Sequence, residues 1–281
     1  MAVAALVVGL GACASPDQPA FEPSSPASVA VSPGPSPDLG VPLVAPSYRV
    51  EPMPVTPTWQ PPGENTSPAY VGDGWFIRYD TAGLNLGVSY ADPANSDVHP
   101  EGDGTPITML GLPGRRYRGV VGESPVHTLY VVTNDRGLSV TVWGYDPDVV
   151  GRFADGLVWE PAPVRQPFDL ALAPAGLVPG KVTSYAMEFA LSTTSGYFGV
   201  LLWQSYEFDR PPSTIDTTVG GYPAEVAIDR DLTHIRVLLP DGRVLAVQAS
   251  ADVGLDQRDL ERIAAGITIT EHATAWTNTP R

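Results

Sequence analysis

Lysine, cysteine and histidine are nearly missing from these 281 residues: one lysine, Lys181, one cysteine, Cys13, and four histidines. A single cysteine excludes an intramolecular disulfide framework, a cysteine-rich zinc site and an iron–sulfur cluster. Basic residues are scarce as a class, with 16 Lys and Arg against 31 Asp and Glu and a net charge of −15 at pH 7. That balance excludes sequence-independent nucleic-acid binding, which is driven by cations releasing phosphate counterions. It also excludes electrostatic docking on anionic lipid. Catalytic signatures are missing too: no G-x-S-x-G, H-E-x-x-H, C-x-x-C or S-x-x-K occurs. Gly180-Lys181 is followed by Val182 rather than Ser or Thr, and Ala175 stands where a phosphate loop needs glycine. The chain therefore reads as non-enzymatic and implies no cofactor, with an unrecognised hydrolase left open.

What is present is distributed unevenly. Residues 1–12, MAVAALVVGLGA, form an uncharged apolar run. A membrane span takes about 20 residues, so this run has instead the length of the apolar part of a secretory signal. It ends in Leu10-Gly11-Ala12-Cys13, which resembles the bacterial lipobox, an aliphatic residue and two small ones before a cysteine. The resemblance implies cleavage after Ala12 and a diacylglyceryl group on Cys13. The protein would then sit on the outer face of the cytoplasmic membrane, and Cys13 would be an anchor rather than a redox group. No Lys or Arg precedes the run, although a secretory signal opens with positive charge, so a start codon further upstream is expected. The alternative is an apolar end with an incidental cysteine.

Residues 13–68 carry about half of the 31 prolines and one basic residue, Arg49. Proline has no N–H and a fixed φ, so helix interiors and central strands are disfavoured. The expectation is a disordered, extended stalk with the reach to hold a domain away from a membrane. High Ala, Gly and Pro with one Lys suits a GC-rich, actinobacterial source.

From residue 69 onward the pattern is rich in strands, and a weak repeat emerges. Gly111-Leu112-Pro113-Gly114 matches Gly221-Tyr222-Pro223-Ala224. A strand pair with a tight turn follows each, over residues 128–143 and 233–249, with Asn-Asp and Asp-Gly at the turns. A helix is then expected from Asp146 or Pro147 to Asp155, and another from Asp256 to Ala265, ending at Gly156 and Gly266. The predicted fold class is α+β: two tandem similar halves, each an antiparallel sheet with one C-terminal helix packed on one face. The expected boundaries are 69–162 and 163–273, with a flexible tail at 274–281. This layout resembles a doubled PsbP-like unit of small actinobacterial lipoproteins, and also the LolA-like periplasmic carriers. Neither resemblance brings a catalytic set.

Two local clusters are candidates for binding. The polar stretch 95–104 alternates Asp97, His99, Glu101 and Asp103, oxygen-rich enough to offer ligands to a hard cation, though as ordinary turn material it needs none. Arg115, Arg116 and Arg118 form a basic cluster that could grip a carboxylate or phosphate, or pair with the surrounding acids. His127 and His234 open comparable strands and could occupy related positions. Trp75, Trp143, Trp159 and Trp203 belong either to the core or to an open groove. The functional expectation is a lipid-anchored envelope module binding a protein or small ligand. The alternatives are a lipid or glycolipid carrier with an apolar cavity, or the extracytoplasmic part of a sensor. Partners are the membrane through Cys13 and an unknown envelope molecule, not nucleic acid.

Overall fold

A computed structural model describes residues 41–62, 68–72, 74–79, 86–95, 98–121, 124–192, 194–204 and 214–275. The apolar run 1–12, Cys13, residues 14–40, Asp97 and the end of the tail lie outside the described residues. Fourteen strands form one antiparallel sheet. In chain order they are β1 (Ala69–Val71), β2 (Gly74–Tyr79), β3 (Leu86–Ala91), β4 (Val98–Met109), β5 (Leu112–Val121), β6 (Ser124–Thr133) and β7 (Ser139–Gly144). Then come β8 (Leu177–Val182), β9 (Ala186–Leu191), β10 (Tyr197–Trp203), β11 (Ile215–Val219), β12 (Tyr222–Ile228), β13 (Leu232–Leu238) and β14 (Val244–Ser250). Across the sheet the order is β11-β12-β13-β14-β10-β9-β8-β1-β2-β3-β7-β6-β5-β4. The first seven strands have the same neighbours as the last seven.

This arrangement overturns the expected α+β class. Strands dominate, and the helices among the described residues with α geometry are two nine-residue elements, α1 (Pro147–Asp155) and α2 (Gln257–Ala265). Nor are there two sheets. The short strands β1 and β8 pair antiparallel through Lys181–Val71 and Val182–Tyr70, so each run satisfies the edge the other would expose. Residues expected in a polar loop at 95–104 belong from Val98 onward to the twelve-residue outer strand β4.

Alternation explains which face carries the core. On β14, Leu245, Val247 and Ala249 point toward α2, where they meet Ile235, Leu260 and Ile263. On β7, Val140 and Val142 point toward α1 and meet Val150 and Phe153. Both helices are started by aspartate. Asp146 accepts from the amides of Asp148 and Val149 at 2.9 and 3.3 Å, followed by Pro147 in the first turn. Asp256 and Asp259 form a reciprocal capping box.

The stalk expected over 13–68 is corrected over 41–62, which lie packed as a strap across the helix-bearing side. Leu43–Val44 pair with Ala173–Pro174, and Thr56–Pro57 pair with Leu157–Val158. Met53 exchanges backbone bonds with Ala162 at 2.9 and 2.8 Å. Met53 and Val55 are wholly buried, and Arg152 stacks 4.2 Å from the centre of the Trp59 ring. Prolines do not prevent this, because two-residue pairings and outer positions need few N–H groups.

Candidate functional site

The opposite face of the sheet carries no helix, and its register makes the two runs of strands comparable. Gly87 stands opposite Trp143 on β3 and β7, and Gly199 stands opposite Gln248 on β10 and β14. In each case an aromatic ring lies over the glycine: the indole of Trp143 covers Gly87, and the Tyr197 ring end covers Gly199. A Cβ at either place would collide with that ring. One row of the first run therefore reads Arg78, Gly87, Trp143, Leu129, Tyr117. The equivalent row of the second reads Glu188, Gly199, Gln248, His234, Ala227.

The second run's row is polar. Lys181 Nζ donates to Glu188 Oε1 at 3.0 Å. Gln248 Nε2 donates to the Tyr197 hydroxyl. Burial holds that hydroxyl above the usual tyrosine value, the Gln248 bond lowers it in part, and the Glu188 carboxylate pushes it up again. Arg236 Nη1 donates to Glu225 Oε1 at 3.1 Å, with both side chains about nine-tenths buried. Beside that pair His234 is 6% exposed and neither ring nitrogen has a hydrogen-bond partner among the described residues. This set is an ion-pair network, and none of its members forms a nucleophile–base pair.

Beyond Arg78, the first run's row is aromatic and aliphatic. Val126, Leu129 and Trp143 form a small core with Tyr117, Val131 and Tyr145. Next to it lies a cavity of about 190 Å³ floored by Ser89, Ser139 and Thr141 and walled by Ala91, Pro93, Val131 and Pro100. Pro100 belongs to the outermost strand, with three strands between it and the strand of Ser89. Bulges at Glu101/Thr105 and Tyr117/Gly119 bend the long outer strands and bring it over the face.

The two outer strands differ. β4 carries Pro100, Pro106 and its bulge, and Arg115 donates from that neighbour strand to the carbonyls of Asp103 and Gly104. β11, its topological equivalent, is a smooth five-residue strand, Ile-Asp-Thr-Thr-Val. Its hairpin turns through Gly220 and Gly221 at φ +59° and +85°, the type I′ geometry that only glycine adopts freely. Such a two-residue turn closes on the hydrogen-bonded pair Val219–Tyr222, so the next pair, Thr218–Pro223, is a non-bonded one. The N–H and C=O of Thr218 therefore point away from β12. Beside this strand runs an open groove of about 400 Å³ lined by Thr218, Val219, Arg258, Glu261 and Arg262. Glu261 accepts from Thr217 at 2.7 Å and from Gln257 at 2.8 Å, and these bonds hold its carboxyl below the ordinary range.

The residues singled out from the sequence fall as follows. His99, Glu101 and Asp103 are exposed on β4. Among the described residues no three His, Cys, Asp or Glu side chains stand close enough to hold a metal ion. Arg118 stands opposite Glu101 and Arg116 opposite Thr105, so the acidic and basic clusters share one hairpin. His234 is matched by Leu129 rather than by His127. The Thr218 edge and the hydroxyl-floored cavity were not legible, because both depend on strand register.

Fold and surface together define a mostly-β protein with one long open sheet and a filled interior. No protein-family model and no curated protein matches the chain. Among solved structures it is similar to MucB in complex with MucA(peri), at 10% identity over 70% of this chain and 87% of that one, with a TM-score of 0.20. A second is the Pseudomonas aeruginosa MucA/MucB complex, at 9% identity, the same coverages and a TM-score of 0.20. Scores at that level carry no argument about this chain.

Proposed function

We propose that the chain is a non-catalytic binding protein of the cell envelope, anchored through lipidated Cys13 and engaging an extended segment of a partner protein along β11. The supporting observation is the unequal treatment of two equivalent outer strands. β4 bears the prolines, bulge and charges that discourage pairing, whereas β11 has none of the first two. Strand addition takes affinity from backbone bonds and selectivity from side-chain pockets. Here Arg258 and Arg262 line the groove beside β11 together with Glu261; Arg262 also pairs with Asp259 at 3.6 Å, and Arg258 is the cation that suits an acidic side chain of the added segment. A lipid carrier is disfavoured by the filled interior: Phe153, Phe168, Phe189, Phe198 and Leu260, all at most 1% exposed, occupy the space between sheet and helices.

Two synthetic strand-forming octapeptides, one with Glu and one with Lys at alternate positions, test the reading by titration into the protein. The Glu peptide is expected to bind. Thr218→Pro, which removes an amide unused by β12, is expected to weaken it about tenfold with an unchanged circular dichroism spectrum. Equal binding of both peptides, or indifference to Thr218→Pro, sinks strand addition. The anchor is tested separately: Cys13→Ala is expected to release the protein into the medium, and unchanged membrane retention refutes it.

A further inference from the structure

The cavity on the helix-free face has a definite chemistry. Its floor is a pair of hydroxyls, Ser89 and Thr141, standing directly opposite each other on β3 and β7. Thr141 is 4% exposed, and neither side chain makes a hydrogen bond to another described residue. The third hydroxyl, Ser139, is occupied by Thr133 at 2.9 Å. The walls are the pyrrolidine rings of Pro93 and Pro100 with Ala91 and Val131, and among the described residues no charged group lines the space.

The other run of strands is an internal control. In the shared register Ser89, Ala91 and Val131 correspond to Leu201, Trp203 and Arg236. Larger side chains stand at all three of these places in the second run, while the floor position Thr141 corresponds there to Ala246, so the second run offers neither the open space over Ser89 and Ala91 nor the pair of hydroxyls. Both hydroxyls open onto the cavity, Ser89 being half-buried, so each is free to bond a molecule that enters, and a ligand that buries them without bonding them forfeits that hydrogen-bonding capacity.

We infer that this cavity is a binding site for a single phenol-sized ring, uncharged and carrying one hydroxyl. Size supports this: an apolar cavity of about 150 Å³ holds one benzene ring, and 190 Å³ leaves room for one substituent. Polarity narrows it further. A monosaccharide would bury four or five hydroxyls against two unspent ones, whereas a plain hydrocarbon ring would leave both unmet. A phenol lays its ring on the prolines and directs its hydroxyl to Ser89 and Thr141. The same ring is presented by a free small phenol or by a partner's tyrosine side chain. The site is independent of β11, so its occupancy neither needs nor supports strand addition.

The test is titration of the full chain with p-cresol, toluene, glucose and N-acetyl-tyrosinamide, followed by chemical-shift changes or calorimetry. p-Cresol is expected to saturate one site, about tenfold more tightly than toluene, with glucose inert. Thr141→Val with Ser89→Ala should bring p-cresol down to the level of toluene. Ala91→Trp, which imports the residue of the equivalent position, should abolish binding, and Thr218→Pro should leave it intact. Binding of N-acetyl-tyrosinamide as well assigns the site to a partner's tyrosine, and its rejection assigns it to a free phenol. The inference is overturned if p-cresol fails to saturate, if toluene binds equally, if glucose binds instead, or if the hydroxyl-deletion variant keeps full affinity.

Discussion

His234 sits against Ala227 and Gln248 with both ring nitrogens unpartnered among the described residues. Burial, aided by the Arg236 charge, holds its imidazole below the ordinary value, against the opposing pull of Asp229 and Glu225. Above pH about 6.5 the ring is neutral in folded and unfolded chains alike and has no effect on the pH profile. Below it, the unfolded chain takes up a proton that the folded chain resists, so stability falls as pH falls. The equivalent place in the first run is taken by Leu129, which is wholly buried, so leucine is the residue the same register position uses there. His234→Leu is expected to raise stability at pH 7.5 by about 1–3 kcal/mol, the cost of an unmet buried polar group, and to flatten the decline below pH 6.5. Urea denaturation at pH 7.5 and 5.5 checks both, and an unchanged pH slope would refute the assignment. At this scale the sequence was partly legible. Residue pattern puts His234 on a strand, but pairing it with His127 needs the strand register, which local sequence does not carry. Lys181, the one lysine of the chain, is held in mid-sheet between Glu188 and Val71.

The elements carry a paired experiment of their own. Gly87 and Gly199 hold the same place in their strands, but their covers differ. Gly87 lies under the Trp143 indole, which is 5% exposed and set in its own small core, with the Ile77 carbonyl also close. Gly199 lies under the hydroxyl end of Tyr197, a half-buried side chain. Gly87→Ala should therefore cost about 1–3 kcal/mol through overpacking, and Gly199→Ala less than about 1 kcal/mol as the tyrosine tip shifts. Thermal denaturation of the two variants decides it, and equal losses would show that the ring covers are not what fixes these glycines. Both helices were legible, since aspartate caps, terminal glycines and an apolar stripe are local signals. So were the hairpins at Asn134–Gly137 and Asp241–Gly242. The outer strands were not. β4 and β11 bury little, so alternation is lost from them, and Pro100, Gly102, Gly104 and Pro106 read as turn while serving a bulged edge.

At the scale of the whole molecule, the repeat written weakly in the sequence becomes two runs of seven strands with the same order, joined at β1 and β8. That junction has two paired positions, with the Gly72 amide also donating to the Gly180 carbonyl at 2.8 Å, so it is not what chiefly holds the runs together. The strap does more. Tyr48 packs 4.8 Å from Phe189 in one core and donates to Gln166 at 3.0 Å. Its hydroxyl is pushed up to about 12, first by burial and then by Asp169. Five residues later Met53 enters the other core, and between them the Glu51 carbonyl accepts from the Trp75 indole at 2.8 Å. Trp75 packs against both cores. A chain starting at Leu39 keeps all of this and is expected to unfold at the same urea concentration as the full chain. A chain starting at Gln60 exposes the sites of Met53 and Val55, worth about 3–6 kcal/mol for the pair. Stabilities of domains this size are about 5–15 kcal/mol, so this truncation should unfold far earlier or fail to fold. Equal midpoints for the two truncations would mean that residues 41–59 rest on the surface without holding the runs together, and the single sheet would have to be stabilised at its junction alone.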